Sequence, residues 1–158
     1  MIGSATFSPD PEKIYRYLLR RKWNDGKSCV FIGLNPSTAD ETKDDPTIRR
    51  CIRFAQDWGF AQLYMLNLFA YRATDPKVMM AHPSPIGPDN MDYMERRIFS
   101  GNCGMVVAAW GVHGAHLNQG AKVREHFRGR LHHLGLTKEG FPKHPLYLKA
   151  DTKPTLWT

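Results

Sequence analysis

The residues best suited to chemistry follow a short apolar run in the first third of the chain. Val30–Ile32 is followed by the turn-forming segment Gly33–Ser37, which contains Asn35, Pro36 and Ser37. This pattern is typical of a buried strand that ends in a polar loop, and ligands of open α/β sheets bind at the carboxyl ends of the strands. We therefore expect Asn35 and Ser37 at the rim of a ligand site. A plain turn, in which these side chains bind nearby backbone groups, would give the same pattern.

Three further polar clusters follow apolar runs or stand near the end of the chain. Asn67 follows Leu63–Leu66, Trp110 ends a third apolar run, and His144 lies in a polar segment that continues to Tyr147. Because the carboxyl ends of parallel strands meet at one edge of a sheet, we expect these clusters to converge.

The elements that would carry these clusters begin with an alternating segment over 14–23. Arg16, Arg20 and Lys22 fall on one side of a period-two pattern, which predicts a half-buried strand. Asn24–Gly26 is a turn signal and predicts a hairpin into the strand at Cys29–Leu34. A helix from residue 11 is the competing interpretation, and residues 1–10 are expected to be an irregular lead-in.

A helix is expected from Pro46 to about Trp58, because Asp45 can cap it and Pro suits its first position. Arg49 and Arg53 lie on or beside its polar face and could bind phosphate or be solvated. The remaining predicted elements are strands over 63–69 and 105–111, a weak strand near 131–136, helices from residue 89 or 90 to about 100 and over 119–127, a loop over 79–90, and an irregular tail over 137–158. This alternation predicts one α/β domain over 1–158, with a mostly parallel sheet covered by helices.

Composition restricts the partners. The formal net charge of +7 favours a polyanionic or phosphorylated partner, although a solvated basic surface gives the same charge. No apolar run approaches the ~20 residues that span a bilayer, and the first residues lack a secretory signal, so we expect no membrane partner. Three widely spaced cysteines suggest reduced thiols and a cytoplasmic location. The oligomeric state is left open.

We expect neither a metal nor a cofactor. No CxxC pair is present, which argues against an iron–sulfur cluster or a structural zinc site. His113 and His116 are spaced for a metal on a helix, but no third ligand is evident. Asp40, Asp44 and Asp45 could form an acidic catalytic set, although helix capping already explains Asp45.

The chain resembles domain-of-unknown-function family 1643 over nearly its whole length. The matching signatures are Asn35–Asp40, Asp45–Thr47, Asn67–Ala70, Arg72–Pro76 and His144–Tyr147. This resemblance implies no particular activity.

The strand-end motifs also resemble those of the uracil-DNA glycosylase superfamily. Gly33–Ser37 is similar to its first motif in the form with Asn in place of the catalytic Asp, and Tyr64–Leu68 is similar to its strand ending in a base-reading Asn. Val106–Gly111 and the His144–Pro145 pair are similar to the third strand and the last motif. The resemblance implies a three-layer α/β/α sandwich with a mostly parallel four-stranded sheet, here with an added N-terminal β-hairpin strand.

The same resemblance implies roles for individual residues. Asn35 would position a water near the sugar C1′, and His144 would donate a hydrogen bond to the base oxygen, so these two are the candidate catalytic residues. Asn67 would pair with a base edge, and Phe69 or Phe54 would stack on the base. The other candidates are Gly33, Pro36, Ser37, Arg72, Trp110 and Tyr147 for the substrate, with Arg49, Arg53 and Arg72 for phosphates.

One departure from the superfamily affects the expected substrate. Leu146 and Tyr147 stand where the His-Pro pair is usually followed by Ser, in a loop that inserts into DNA. A free nucleotide, a nucleoside or a modified base is therefore as plausible as duplex DNA. We expect a nucleobase- or nucleotide-directed hydrolase of the N-glycosidase type. The alternatives are a non-catalytic nucleic-acid or nucleotide binder and a basic protein-interaction module.

Overall fold

A single mixed β-sheet organises the chain in a computed structural model that describes residues 1–9 and 11–158. The strands run in the order β1-β2-β4-β3-β5-β6-β7. Their bounds are β1 Ile2–Ser8, β2 Tyr15–Lys22, β3 Ser28–Gly33, β4 Gln62–Asn67, β5 Cys103–Ala108, β6 Leu131–His133 and β7 Thr155–Leu156. The four central strands β4, β3, β5 and β6 are mutually parallel. β1, β2 and β7 add to the two sides in antiparallel fashion.

The sheet corrects the expected four-stranded, mostly parallel arrangement, because it is mixed and the described residues form seven strands. Ile2–Ser8 is a strand where an irregular lead-in was expected, and Thr155–Leu156 is a short strand in the expected irregular tail. Both lie at a sheet edge, where backbone pairing needs no apolar period, so hydrophobic patterning gave no signal for them. Asp10, the last residue of the expected lead-in, lies outside the described residues.

The expected hairpin between β2 and β3 is wrong, although β2 itself is a strand and not a helix. β4 lies between the two, since Met65 is opposite both Leu19 of β2 and Phe31 of β3. All six residues of β4 are buried, and a strand with both faces covered gains most from a neighbour on each edge. The turn at Asn24–Gly26 therefore carries the chain across β4.

Four helices are described: α1 Pro46–Asp57, α2 Pro76–Ala81, α3 Asn90–Ile98 and α4 Gln119–His126. The expected start of α1 is confirmed, because the Asp45 carboxylate accepts a hydrogen bond from the Ile48 N–H at 2.8 Å and Pro46 opens the helix. α3 and α4 lie where helices were expected, whereas α2 occupies part of the expected loop over 79–90. Within the described chain, none of the helices has both the length and the apolar character needed to cross a membrane.

Helices cover both faces of the sheet. Ile48, Cys51 and Ala55 of α1 pack on one face against the buried side chains of β3 and β4. Met94 of α3 and Val123 of α4 belong to the core on the other face. The parallel central strands between these two cores have their carboxyl ends on the same side of the sheet, and loops cover the sheet there.

Candidate functional site

A cavity of about 590 Å³ lies at the carboxyl ends of β3, β4 and β5. Gly33 and Asn67 line it from the last positions of β3 and β4, and Trp110 lines it just beyond β5. The start of α1 and the segment around His144 complete the wall. The volume is that of a small-molecule site, for which about 300–1,000 Å³ is usual.

The cavity brings together candidate residues that are far apart in the chain. Its wall includes the two candidate catalytic residues, Asn35 and His144, and five of the candidate substrate-binding residues: Gly33, Pro36, Ser37, Asn67 and Trp110. They meet because three parallel strands end at the same edge. Trp110 is only 2 % exposed and packs against Trp157, so it forms part of the cavity wall.

Asn67 presents a hydrogen-bond donor that the protein leaves unused. The residue is 2 % exposed, and its Nδ2 is buried without a hydrogen-bond partner among the described residues. Its backbone is held firmly, because the buried Asn90 donates from Nδ2 to the carbonyls of Asn67 and Leu68 at 2.9 and 3.1 Å. A buried amide donor without a partner is costly, and Asn67 is one of the residues that line the cavity.

Gly33 makes room for this amide. Gly33 and Asn67 are opposite each other in the β3–β4 register. A Cβ at Gly33 would lie 2.7 Å from Cε of Met65 and 2.9 Å from Oδ1 of Asn67. A larger residue at position 33 would therefore have to displace Met65 or Asn67, whose side chains approach from the neighbouring strand.

The Asn35 loop is tied to the segment before α2. Nδ2 of Asn35 donates to the Ala73 carbonyl at 2.8 Å and to the Pro36 carbonyl at 3.3 Å. The Ser37 hydroxyl donates to Oγ1 of Thr74 at 3.4 Å. Since both amide hydrogens have backbone acceptors, Oδ1 is the group that Asn35 can offer to water or to a ligand.

His144 is held in one tautomer. Its Nδ1 accepts a hydrogen bond from the Leu146 N–H at 3.2 Å, so the proton of the neutral ring is on Nε2. Burial lowers the pKa of His144 below its ordinary value, against an opposing effect from the Asp45 charge. At neutral pH the residue is therefore a neutral imidazole that can donate from Nε2.

Two charged side chains in the wall, those of Arg16 and Asp45, were not selected as site residues from the sequence, although Asp45 was considered as part of an acidic catalytic set with Asp40 and Asp44. Asp45 uses Oδ1 to cap α1, while Oδ2 has no hydrogen-bond partner among the described residues. Arg16 of β2 is 2 % exposed, although the alternating pattern placed it on the polar side of a half-buried strand. That pattern could not reveal its burial, because the cover over this side of β2 comes from distant segments, including the carbonyl of Ala39 that accepts from Arg16 Nη1.

The aromatic candidates lie elsewhere. Phe69 is fully buried in the core with its ring 5.4 Å from that of His116, and Phe54, on the buried face of α1, is 1 % exposed. Neither ring lies in the cavity wall, and the stacking of one of them on a base stays a prediction. Tyr147 is 90 % exposed and outside the cavity wall, because the short turn Pro145–Tyr147 directs Leu146 to the cavity instead.

The arginine candidates are also outside the cavity wall. Arg49 and Arg53 are exposed on α1, where Arg53 pairs with Asp57 at 3.6 Å. The Arg72 guanidinium lies 4.9 Å from the ring centre of Phe7 and donates to the Lys13 carbonyl. The helical period predicted the side of α1 on which Arg49 and Arg53 lie, but it could not predict how far that side is from the cavity.

The other polar residues give no sign of a metal centre in the described part of the chain. No group of three or more His, Cys, Asp or Glu side chains is placed there to hold an ion. His113 is exposed at the cavity wall, whereas His116 packs against the core. Burial raises the pKa of the Cys29 and Cys51 thiols.

Comparison with known protein families identifies the family of this chain. A model of the family described as a protein of unknown function, DUF1643, matches residues 16–146. This span runs from Arg16 to Leu146, the first and last residues of the cavity wall. No curated protein and no solved structure matches the chain.

Proposed function

The chain belongs to the DUF1643 family, and we propose that it binds the nucleobase of a nucleotide in its cavity and hydrolyses the N-glycosidic bond. The observation that carries this proposal is the buried, unpartnered Nδ2 of Asn67 in the wall of a cavity that also holds Asn35 and His144. The similarity of these motifs to the glycosylase superfamily adds support from the sequence alone.

A nucleobase fits the donors and acceptors of the wall. An Asn amide can pair through Nδ2 and Oδ1 with the acceptor and donor on one base edge. His144 can donate from Nε2 to a base oxygen. The indole of Trp110 and the aliphatic parts of Leu34, Met65 and Leu146 provide apolar surface for the ring.

The reaction is a displacement at C1′ of the sugar. A water oxygen forms a bond to C1′ while the C1′–N bond breaks, and the bonding electrons leave with the base. Negative charge then develops on the base oxygen, where the Nε2–H of His144 stabilises it. Oδ1 of Asn35 orients the water, and Oδ2 of Asp45 takes its proton, since an amide is too weak a base to do so.

The test is base release from a panel of nucleosides, nucleotides and oligonucleotides with normal and modified bases, scored by mass spectrometry. We expect release from at least one substrate and loss of release in Asn67→Leu and His144→Asn. His82→Asn is the matched control, because His82 also accepts on Nδ1 from the residue two positions later but lies outside the cavity wall. Equal release by wild type, Asn67→Leu and His144→Asn would contradict the proposal.

One observation favours a second function, that of a nucleotide binder without catalysis. Asn35 stands where the resemblance places the water-positioning group, yet its Nδ2 is hydrogen-bonded to two backbone carbonyls, as in a structural turn. Binding of a nucleotide that is lost in Asn67→Leu, with no base released from any member of the panel, would establish this second function instead.

A further inference from the structure

Arg16 is a buried cation without an anionic partner. Its side chain is 2 % exposed, and no carboxylate of the described residues lies within 4.0 Å of its guanidinium. Of its side-chain nitrogens, only Nη1 makes a hydrogen bond to the described residues, at 3.1 Å to the Ala39 carbonyl. Nε is buried without a partner among those residues. Isolating a charge from water in this way is costly unless another group neutralises it.

Arg21, on the same strand, shows how this protein pairs an arginine that serves the fold. It is 3 % exposed and donates from Nε to the Asp44 carboxylate at 2.8 Å. Its other nitrogens donate to the carbonyls of Arg20, Asp40 and Lys43. The contrast indicates that the unused donors of Arg16 serve something other than the fold.

The start of α1 supplies a second set of free donors to the same cavity. The N–H of Ile48 is taken by the Asp45 side chain and that of Arg49 by the Asp45 carbonyl. Thr47, which lines the cavity beside them, has neither its N–H nor its hydroxyl hydrogen-bonded within the described chain. The free N–H of Thr47 at the start of a twelve-residue helix favours an anion.

We propose that Arg16 and Thr47 bind a terminal phosphate, so that the cavity ligand is a nucleoside monophosphate. The nucleoside part of this inference rests on the proposed function, whereas the phosphate part stands on Arg16 and Thr47. A terminal phosphate is favoured over a phosphate within a strand because Arg16 is buried in the cavity wall, whereas Arg49 and Arg53 are exposed outside it.

The negative charge of Asp45 limits the affinity of this site for phosphate. Its carboxylate lies in the same wall and near enough to Arg16 to affect the arginine electrostatically. Burial lowers the pKa of Arg16 to about 10, so the guanidinium is still charged at neutral pH. Asp45→Asn keeps a capping oxygen but removes the negative charge, and should therefore tighten phosphate binding while it abolishes base release.

The experiment is calorimetric titration with the four common nucleosides, their 5′-monophosphates and inorganic phosphate. In the wild type we expect the monophosphate of the preferred base to bind about tenfold or more tightly than its nucleoside, as for charge-assisted hydrogen bonds. Arg16→Gln should abolish this preference, and Arg16→Lys should retain part of it.

Thermal unfolding separates a binding role of Arg16 from a structural one. Without ligand, Arg16→Gln should melt at the wild-type temperature or above, because it removes an unpaired buried charge. Arg21→Gln is the matched control and should lower the melting temperature. A fall of the same size in Arg16→Gln would overturn the inference.

The outcomes also distinguish this inference from the proposed function. Base release with equal affinity for nucleoside and monophosphate would overturn the phosphate site and leave the proposed function standing. A phosphate preference that depends on Arg16, without base release, would support the phosphate site and contradict the hydrolase. Binding of oligonucleotides but of no mononucleotide or inorganic phosphate would overturn the phosphate site.

Discussion

At the scale of single residues, two features define the cavity: the absence of a side chain at Gly33 and the unpaired Nδ2 of Asn67. The hydrogen atom at Gly33 allows Oδ1 of Asn67 and Cε of Met65 to approach from β4. Asn67 then presents an amide with no hydrogen bond to the described protein through Nδ2. A protein gains no stability from such an arrangement, which is the physical reason for our proposal that Asn67 binds a ligand.

Gly33→Ala should weaken nucleotide binding more than it weakens the fold. The added methyl group must displace Met65 or Asn67, and a flexible methionine can move at low cost, whereas the amide loses its position. We expect at least about a tenfold increase in Kd, equivalent to ~1.4 kcal/mol. Gly101→Ala is the control, because a Cβ there meets nothing within 4 Å. Unchanged binding by Gly33→Ala would show that the approach to Asn67 is irrelevant.

Two neighbouring asparagines should respond in opposite ways to replacement by leucine. Asn90→Leu removes the donor that holds the carbonyls of Asn67 and Leu68 at the end of β4 and should cost about 1–3 kcal/mol in the free energy of unfolding. Asn67→Leu removes an unpartnered donor and should leave stability unchanged while binding is lost. Chemical denaturation measures both effects, and a large destabilisation by Asn67→Leu would point to a structural role for its amide.

At the scale of elements, the loop that carries His144 is held by a hydrogen bond that requires the neutral imidazole with its proton on Nε2. The ring nitrogen Nδ1 that accepts from Leu146 cannot accept once it is protonated. The pKa of His144 is lowered in the folded chain, so the unfolded chain binds the proton more readily. Stability from this residue is therefore complete above the ordinary pKa of 6.5 and decreases as the pH falls from there to the lower folded pKa.

His144→Asn should reduce this pH dependence, because Asn can accept from the Leu146 N–H without titrating. We expect the melting temperature of the variant to fall less than that of the wild type between about pH 7.5 and about pH 5.5. The pKa of His133 is also lowered by burial, so some dependence should persist. An identical fall in both proteins would mean that His144 does not couple the loop to protonation.

At the scale of the whole molecule, the positively charged side chains lie in two different environments, the exposed surface and the cavity wall. The formal net charge is +7, and Arg49 and Arg53 on α1 are exposed, whereas Arg16 is enclosed in the cavity wall. Exposed charges are screened by salt much more than buried ones. The surface charge and the cavity charge should therefore be separable by ionic strength.

Raising the salt concentration from about 50 to about 200 mM should weaken any association with oligonucleotides steeply, because it depends on counterion release. Over the same range, the affinity for a nucleoside monophosphate should change much less. Titrations at several salt concentrations measure both slopes. Arg49→Gln with Arg53→Gln should flatten the oligonucleotide slope only. Equal slopes for the two ligands would place mononucleotides on the surface.

The local pattern of the sequence was sufficient for much of the fold. Asp45 and Pro46 specify the start of α1 by a cap and a fixed backbone angle, which act over a few residues. The apolar runs at Val30–Ile32 and Leu63–Leu66 become buried central strands. The placement of β4 between β2 and β3 was not available from the sequence, because pairing of distant strands depends on which edges remain free.

By itself, the sequence determined where β3 and β4 end in polar loops, which selected Asn35 and Asn67, and it offered a His-Pro pair near the end of the chain, which selected His144. All three residues line one cavity. The tertiary structure alone decided that Arg16 is enclosed and unpaired, that Asn67 keeps a free donor, and that Phe69 is inaccessible. The reason is physical: strand ends are set by neighbours in the chain, whereas burial and hydrogen-bond partners are set by segments that meet only in space.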